Sequence, residues 1–354
     1  MKLDLNRASG SQIRPLKILQ AFKNLNYEVD IVMGDVKERK NQIKQIKENI
    51  LNGMKYDFLY SESSTMPTAL TENHHLPIAP FFDFDFFRFC KQHGIKIGLF
   101  YRDIFWRFKS PPFGMTYFKF KFSLFFYKYD LEQYKKYVDI LYLPSLEMFP
   151  HLKIDFPGEV KALPPACEER VDISVKTKKD KLSFIYVGGV SHLYDLTLFS
   201  EVVTNIENVT FNLCTREDDW HKEKYKYKDM KNLKIHHLKG SELNALYSMS
   251  DIAIYFIKPN IIWDFAMGLK LFEYISFLKP IIAIKGTSVG DFIEQYNIGW
   301  CVEYDKEKLY DLINHIKENP AVLGEKIKNI KRSISLNTWN ARIEEIINNM
   351  KGKK

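Results

Sequence analysis

The chain has 354 residues, more than one ordinary core holds and about right for two domains. Its 45% hydrophobic and 27% charged content excludes a disordered chain, and four scattered cysteines (Cys90, Cys167, Cys214, Cys301) exclude a disulfide scaffold and a C-x-x-C zinc site. A formal charge of +8 favours an anionic partner: nucleotide phosphates, nucleic acid or an acidic membrane surface.

The opening "MKLDLNRASGSQ" turns polar at once, without the apolar run of a secretory signal, and no stretch approaches a bilayer span. With the unpaired cysteines, this reads as a cytoplasmic protein. Short apolar runs then alternate with helical patterns, the signature of parallel α/β layers. In the first half, strands are expected at "LDL", "YEVDIVMG", "YDFLYSES", "IKIGLFYRD" and "VDILYLPS". Helices are expected at Pro15–Asn24, with the proline in its first turn, and at Lys37–Leu51. The loop "NRASGSQIRP", with Arg7, Ser9 and Gly10, follows the first strand. Glu62, Arg102 and Asp103 end later strands, where α/β sheets bind ligands.

"FFDFDFF" holds Asp83 and Asp85, an Asp-x-Asp pair. It has two uses. Asp83 caps a helix while Asp85 complements its dipole, or the pair holds a divalent metal and a diphosphate. The segment 117–138 repeats apolar residues by three and four: Tyr117, Phe120, Leu124, Tyr127, Leu131, Tyr134 and Val138 form one buried stripe. Phe118, Phe122, Phe125 and Phe126 fall outside it, beside Lys121, Lys128 and Lys135. Residues 117–136 therefore offer either a second packed face or an anionic membrane contact.

"ACEERVDISVKTKKDK", residues 166–181, is charged and follows Pro164-Pro165, so it reads as a linker between domains 1–165 and 182–333. The second domain shows strands at "KLSFIYV", "NVTFNLC", "LKIHHL", "DIAIYF", "PIIAI" and "GWCVEY". Residues 334–354 form a closing helix. Gly188-Gly189 lies between a strand and a helix, where glycines admit a ligand to the backbone; no third glycine completes a dinucleotide fingerprint. In "MGLKLFEYISFL", Leu271, Ile275 and Leu278 face a core, while Lys270 and Glu273 project from the other side. The Met267, Gly268 and Leu269 amides open that helix, so a diphosphate there would meet free N–H donors and Lys270 together. Glu273, one turn on, is placed to accept hydrogen bonds from sugar hydroxyls.

"MGLKLFEYISFLKPIIAI" and the following "GTSVGDFIEQYNIGWCVEYD", with "YVGGVSHLYDL" and "TWNARIEEIINNM", resemble the nucleotide-sugar half of GT-B glycosyltransferases, in particular the retaining family 4 type. The resemblance implies two Rossmann-like doubly wound domains facing a cleft, with the closing helix crossing back to the first. It implies sugar transfer from a nucleoside-diphosphate donor to an acceptor hydroxyl, with no cofactor and no metal. Position by position, Gly188 and Gly189 match the phosphate loop, Lys270 the residue near the diphosphate, and Glu273 the second acid of an E-x7-E motif. Thr215 and Arg216 stand where such enzymes meet the nucleotide. The first acid falls on Phe265, with Asp264 one residue away, so the family pattern is broken there. On the acceptor side, Asp103 serves as base if the reaction inverts and only positions the acceptor if it retains. Arg102 stands beside it. The expected acceptor is a lipid-linked or growing surface glycan. Two other readings are a GT-B-fold epimerase and a metal-dependent transferase using Asp83 and Asp85. Nucleic acid is not expected, because the basic residues are interleaved with carboxylates.

Overall fold

The computed structural model describes residues 10–108, 116–170 and 181–352, with side chains from residue 12 onward. The chain divides into two compact units, one made of Met1–Pro165 and Trp339–Lys354, the other of Ala166–Thr338.

Unit 1 runs α1 (Gly10–Asn24), α2 (Val36–Leu51), β1 (Phe58–Glu62), α3 (Phe82–Gln92), β2 (Lys96–Phe100), α4 (Tyr117–Tyr137), β3 (Ile140–Leu143), α5 (Phe149–Leu152) and β4 (Glu159–Ala162). The four strands pair in parallel in the order β1-β2-β3-β4. β3 is buried throughout, as a strand covered on both faces must be. α2 starts on a capping box: Asp35 accepts the Glu38 N–H at 2.9 Å, and Glu38 accepts the Asp35 N–H at 2.8 Å.

Four sequence expectations need correction here. α1 begins five residues before Pro15, so the proline lies inside the helix rather than in its first turn. The added turn carries Arg14, which is only 2% exposed and bonds Glu62. "YEVDIVMG" forms no strand: Tyr27–Met33 lack a ladder partner among the described residues, and the Met33 N–H goes to the Gln42 side chain at 2.8 Å. The N-cap of α3 is Phe81, not Asp83; Asp83 sits inside the first turn and pairs with Arg39 at 3.2 Å. On α4, Tyr117 is exposed and Phe126 buried, the reverse of the expected stripe. The predicted strand "LDL" lies outside the described residues. β4 was not anticipated, because its alternating Glu159 and Lys161 mark a short edge strand rather than an apolar run.

Unit 2 runs β5 (Leu182–Val187), α6 (Thr197–Thr204), β6 (Val209–Cys214), α7 (Glu217–Glu223), β7 (Leu233–His236), α8 (Leu243–Met249), β8 (Ile252–Tyr255), α9 (Leu269–Ser276), β9 (Ile281–Ile284), α10 (Ser288–Tyr296), β10 (Gly299–Val302), α11 (Lys306–Glu318) and α12 (Ala321–Ile334). Its strands are those the sequence predicts. They form a six-stranded parallel sheet in the order β10-β9-β8-β5-β6-β7. Strand order reverses between β5 and β8, and ligands of open α/β sheets bind outside the carboxyl ends of strands at such a point. The start of the expected linker belongs to this unit: the Cys167 N–H donates to Asn337 O at 2.8 Å, and the Glu168 N–H donates to Ser276 Oγ at 2.8 Å. Residues 171–180 lie outside the described residues.

The closing helix, α13 (Trp339–Lys351), belongs to unit 1. Gly98 in β2 makes room for it: a Cβ there would stand 2.9 Å from Met350 Sδ. Arg342 Nε donates to the Pro164 carbonyl at 3.1 Å, and Lys351 pairs with Asp57 at 2.7 Å.

Candidate functional site

In unit 2 the site elements gather around the strand-order reversal. β5 delivers Gly188 and Gly189 at its carboxyl end, and β8 leads into the segment that starts α9. Tyrosine hydroxyls brace these loops. Tyr274 of α9 accepts the Val187 N–H at 3.2 Å, tying the helix to the strand end just before the glycines. Tyr186 donates to the Gly189 carbonyl at 3.0 Å. A Cβ on Gly188 would stand 2.7 Å from Tyr186 Oη, and one on Gly268 2.7 Å from Tyr255 Oη. Both glycines are therefore fixed by buried tyrosines, not by turn geometry.

α9 opens on Gly268 in extended conformation, with no side chain capping its first amides. The N–H groups of a helix start lack intrahelical partners and carry the positive end of the dipole. Met267, Gly268 and Leu269 are half-buried at this end, while Leu271, Phe272 and Ile275 are fully buried and hold the helix to the sheet. Lys270 and Glu273 face outward 3.5 Å apart, a half-exposed pair worth about 0.2–0.5 kcal/mol. Burial pushes up the Cys214 thiol at the end of β6; Lys270 draws it down and Glu273 raises it, so both charges reach that strand end.

After β6, Thr215 is buried, and its backbone carbonyl accepts from His237 at 2.8 Å. Among the described residues its hydroxyl has no hydrogen-bond partner. Arg216 is exposed and donates through both Nε, at 2.8 Å, and Nη2, at 2.7 Å, to one oxygen of Asp219, Oδ2. A Cβ on Gly189 would lie 3.3 Å from Asp219 Oδ2 and 3.6 Å from Arg216 Nη2, which places this pair against the glycine loop. The position of the absent first acid is settled: Phe265 is 3% exposed in the core, and Asp264 is exposed, its carbonyl accepting from Ser288 Oγ at 2.6 Å.

In unit 1, Arg7 and Ser9 lie outside the described residues, and Gly10 is the first residue of α1. Glu62 is held between two arginines: Arg14 Nε at 2.9 Å and Arg102 Nη2 at 3.4 Å, with the Tyr60 hydroxyl donating at 3.0 Å. Arg102 also donates its N–H to Ser63 Oγ at 3.0 Å. Arg102 thus pairs with Glu62, leaving Asp103 its own surroundings. Burial pushes the Asp103 carboxyl up to about 6, against the lowering effects of Arg102, the Phe105 N–H and the Thr65 hydroxyl. Proton exchange at Asp103 is thereby moved from the ordinary carboxylate range toward neutrality, where a general base works.

Asp83 and Asp85 are engaged separately, with Arg39 and with Arg88 at 2.9 Å. Among the described residues, no group of three or more His, Cys, Asp or Glu is arranged to hold a metal ion. Sequence reading missed Arg14, Asp219 and the tyrosines 186, 255 and 274. The signal for the tyrosines was present, since "FIYVGG", "IAIYF" and "FEYIS" each set one beside a singled-out element.

No protein-family model matches the chain, and no curated protein matches it in sequence. Solved structures do match it in fold. The HepE protein of Anabaena, in complex with UDP, superposes with a TM-score of 0.60 at 12% identity, covering 99% of this chain and 100% of that one. Sucrose-phosphate synthase of Thermosynechococcus elongatus gives 0.56 at 12% identity, covering 96% and 92%. WaaG, a glycosyltransferase of lipopolysaccharide biosynthesis, gives 0.53 at 10% identity, covering 89% and 96%. Two parallel α/β units and these neighbours together give the chain the GT-B fold.

Proposed function

We propose that the protein is a glycosyltransferase that moves a sugar from a nucleoside-diphosphate donor to an acceptor hydroxyl. One observation carries this reading: at the strand-order reversal of unit 2, a braced glycine loop, an uncapped helix start, Lys270 and Glu273 come together. That combination suits a diphosphate beside a polyol. Solved neighbours of this fold bind such molecules; HepE was determined with UDP and with UDP and glucose.

In the proposed reaction the bond between the sugar's anomeric carbon and the diphosphate oxygen breaks. Its electron pair leaves with the diphosphate, and the acceptor oxygen forms the new bond. Lys270, the helix-start amides at 267–269 and the Gly189 amide stabilise the charge gathering on the leaving group, while Gly188, its N–H held by the Cys214 carbonyl at 2.9 Å, shapes the loop. Glu273 holds ribose hydroxyls, while Thr215 and Arg216 border the nucleotide. No cofactor or metal takes part. On the acceptor side, ionised Asp103 takes the hydroxyl proton in an inverting reaction. In a retaining one it orients that hydroxyl, and a donor phosphate oxygen takes the proton. Arg102 and Glu62 are assigned to the acceptor side, together with Arg7, Ser9 and Gly10 around the start of α1. The acceptor class is a lipid-linked or growing surface glycan, reached from the cytoplasmic face of a membrane.

The test is incubation with labelled UDP-, GDP-, CMP- and dTDP-sugars, with and without chelator, in the presence of lipid-linked acceptors. Transfer that survives chelation supports the reading. Isomerised nucleotide sugar without transfer would replace it with an epimerase, and chelator-sensitive transfer would return Asp83 and Asp85 to consideration.

A further inference from the structure

Helix α4 carries more aromatic surface than its own unit covers. Its inner face is fully used: Phe126 packs with Ala69, Leu70 and Met66, the Tyr127 hydroxyl donates to the Thr65 carbonyl at 2.6 Å, and Asp130 accepts the Thr68 N–H at 2.7 Å. On the other face Phe118 is 84% exposed, Phe125 65% and Phe122 47%. These three are spaced by four and three residues and so share one side of the helix.

Lys119, Lys121 and Lys128 are exposed around the rings, and Tyr117–Tyr129 contains no acidic residue. The acid that faces Tyr129 from α3 is Asp85, already paired with Arg88 at 2.9 Å. A second copy of the chain is a poor occupant, because it would bring two sets of lysines together in an interface core, where charge is depleted. A surface bearing negative phosphates above an apolar layer satisfies both residue types at once.

We infer that this face of α4 docks onto an anionic lipid bilayer, with Phe118, Phe122 and Phe125 entering the boundary between headgroups and acyl chains and the three lysines meeting lipid phosphates. Among the described residues no helix is long and apolar enough to cross a membrane. The inference does not use the donor chemistry, and each stands if the other fails.

The test is co-sedimentation of the full chain with phosphatidylcholine vesicles, with and without phosphatidylglycerol, at low and high salt. The chain is expected to bind the phosphatidylglycerol vesicles selectively and to release in high salt. The triple variant K119Q/K121Q/K128Q should bind about a hundredfold more weakly. F118S/F122S/F125S should lose at least about tenfold. The lysine variant should melt as the parent does, because its side chains are exposed. F118S alone, at the 84% exposed ring, should also melt as the parent does and still bind more weakly, and it avoids the edge-on contacts that Phe122 and Phe125 make with Phe126 at 5.2 Å. Equal binding to both vesicle types, or either variant binding like the parent, overturns the proposal. So does a concentration-dependent dimer that the phenylalanine variant dissolves, which would assign the face to a second copy.

Discussion

The two sheets end in different chemistry. At the strand ends of unit 2 the chain offers backbone: two glycines, an uncapped helix start and tyrosine hydroxyls that brace them, with Lys270 half-exposed. At the strand ends of unit 1 it offers charges already engaged. Glu62 takes both Arg14 and Arg102, and the Arg14 guanidinium lies 3.6 Å over the Phe100 ring. The first arrangement presents a helix start that no side chain caps, beside a glycine loop whose Gly188 N–H is already bonded to the Cys214 carbonyl at 2.9 Å. The second has spent its cations on its own carboxylate, and the proposed acceptor chemistry falls to Asp103.

Breaking each side separately sharpens the comparison. Lys270→Ala removes the mobile cation of the unit 2 end, and transfer should fall by about 10³-fold in kcat at unchanged melting temperature. Asp103→Asn should cost about 10²-fold. In the parent, kcat/KM should fall as pH drops through about 6, where Asp103 takes up its proton, and the variant should lack that limb. The stereochemistry of the product then tells whether Asp103 acts as base or only orients the acceptor.

The remaining predictions concern stability. Arg14→Met leaves Glu62 with one cation in a buried setting and should destabilise unit 1 by about 3 kcal/mol, read from denaturant unfolding. Tyr274→Phe leaves the buried Val187 N–H without its acceptor and should cost unit 2 about 1 kcal/mol. The smallest effect is a slope. Burial pushes Asp130 up to about 7, so the folded chain binds more protons there than the unfolded one. Between the ordinary carboxylate range and pH 7, that group therefore makes the protein less stable as pH rises. Asp130→Asn should flatten the fall in melting temperature over that interval and raise it near pH 8.

Unit 2 was legible in the sequence because its strands are continuous apolar runs bounded by glycine, proline and asparagine, and because α9 separates its charged and apolar faces cleanly. Unit 1 was less so. "YEVDIVMG" alternates as a strand does, yet pairing is a property of neighbours, and its amide at Met33 finds a side chain instead. Arg14 was invisible for a related reason: nothing local marks a helical arginine as the partner of a glutamate 48 residues away. The bracing tyrosines were present in the sequence, but their hydroxyls acquire a purpose only when β5, β8 and α9 are brought side by side. The α4 stripe was read correctly at Phe120, Tyr127, Leu131, Tyr134 and Val138, all buried, and missed at Tyr117, which is exposed, and Phe126, which turns inward against Ala69 and Leu70.

The most direct test of the central claim is isothermal titration of the full chain and of Lys270→Ala with UDP, GDP, CMP and dTDP. The account predicts that one nucleoside diphosphate binds the parent and binds the variant at least about tenfold more weakly. Failure of every nucleotide to bind, or the same affinity in both proteins, would contradict it.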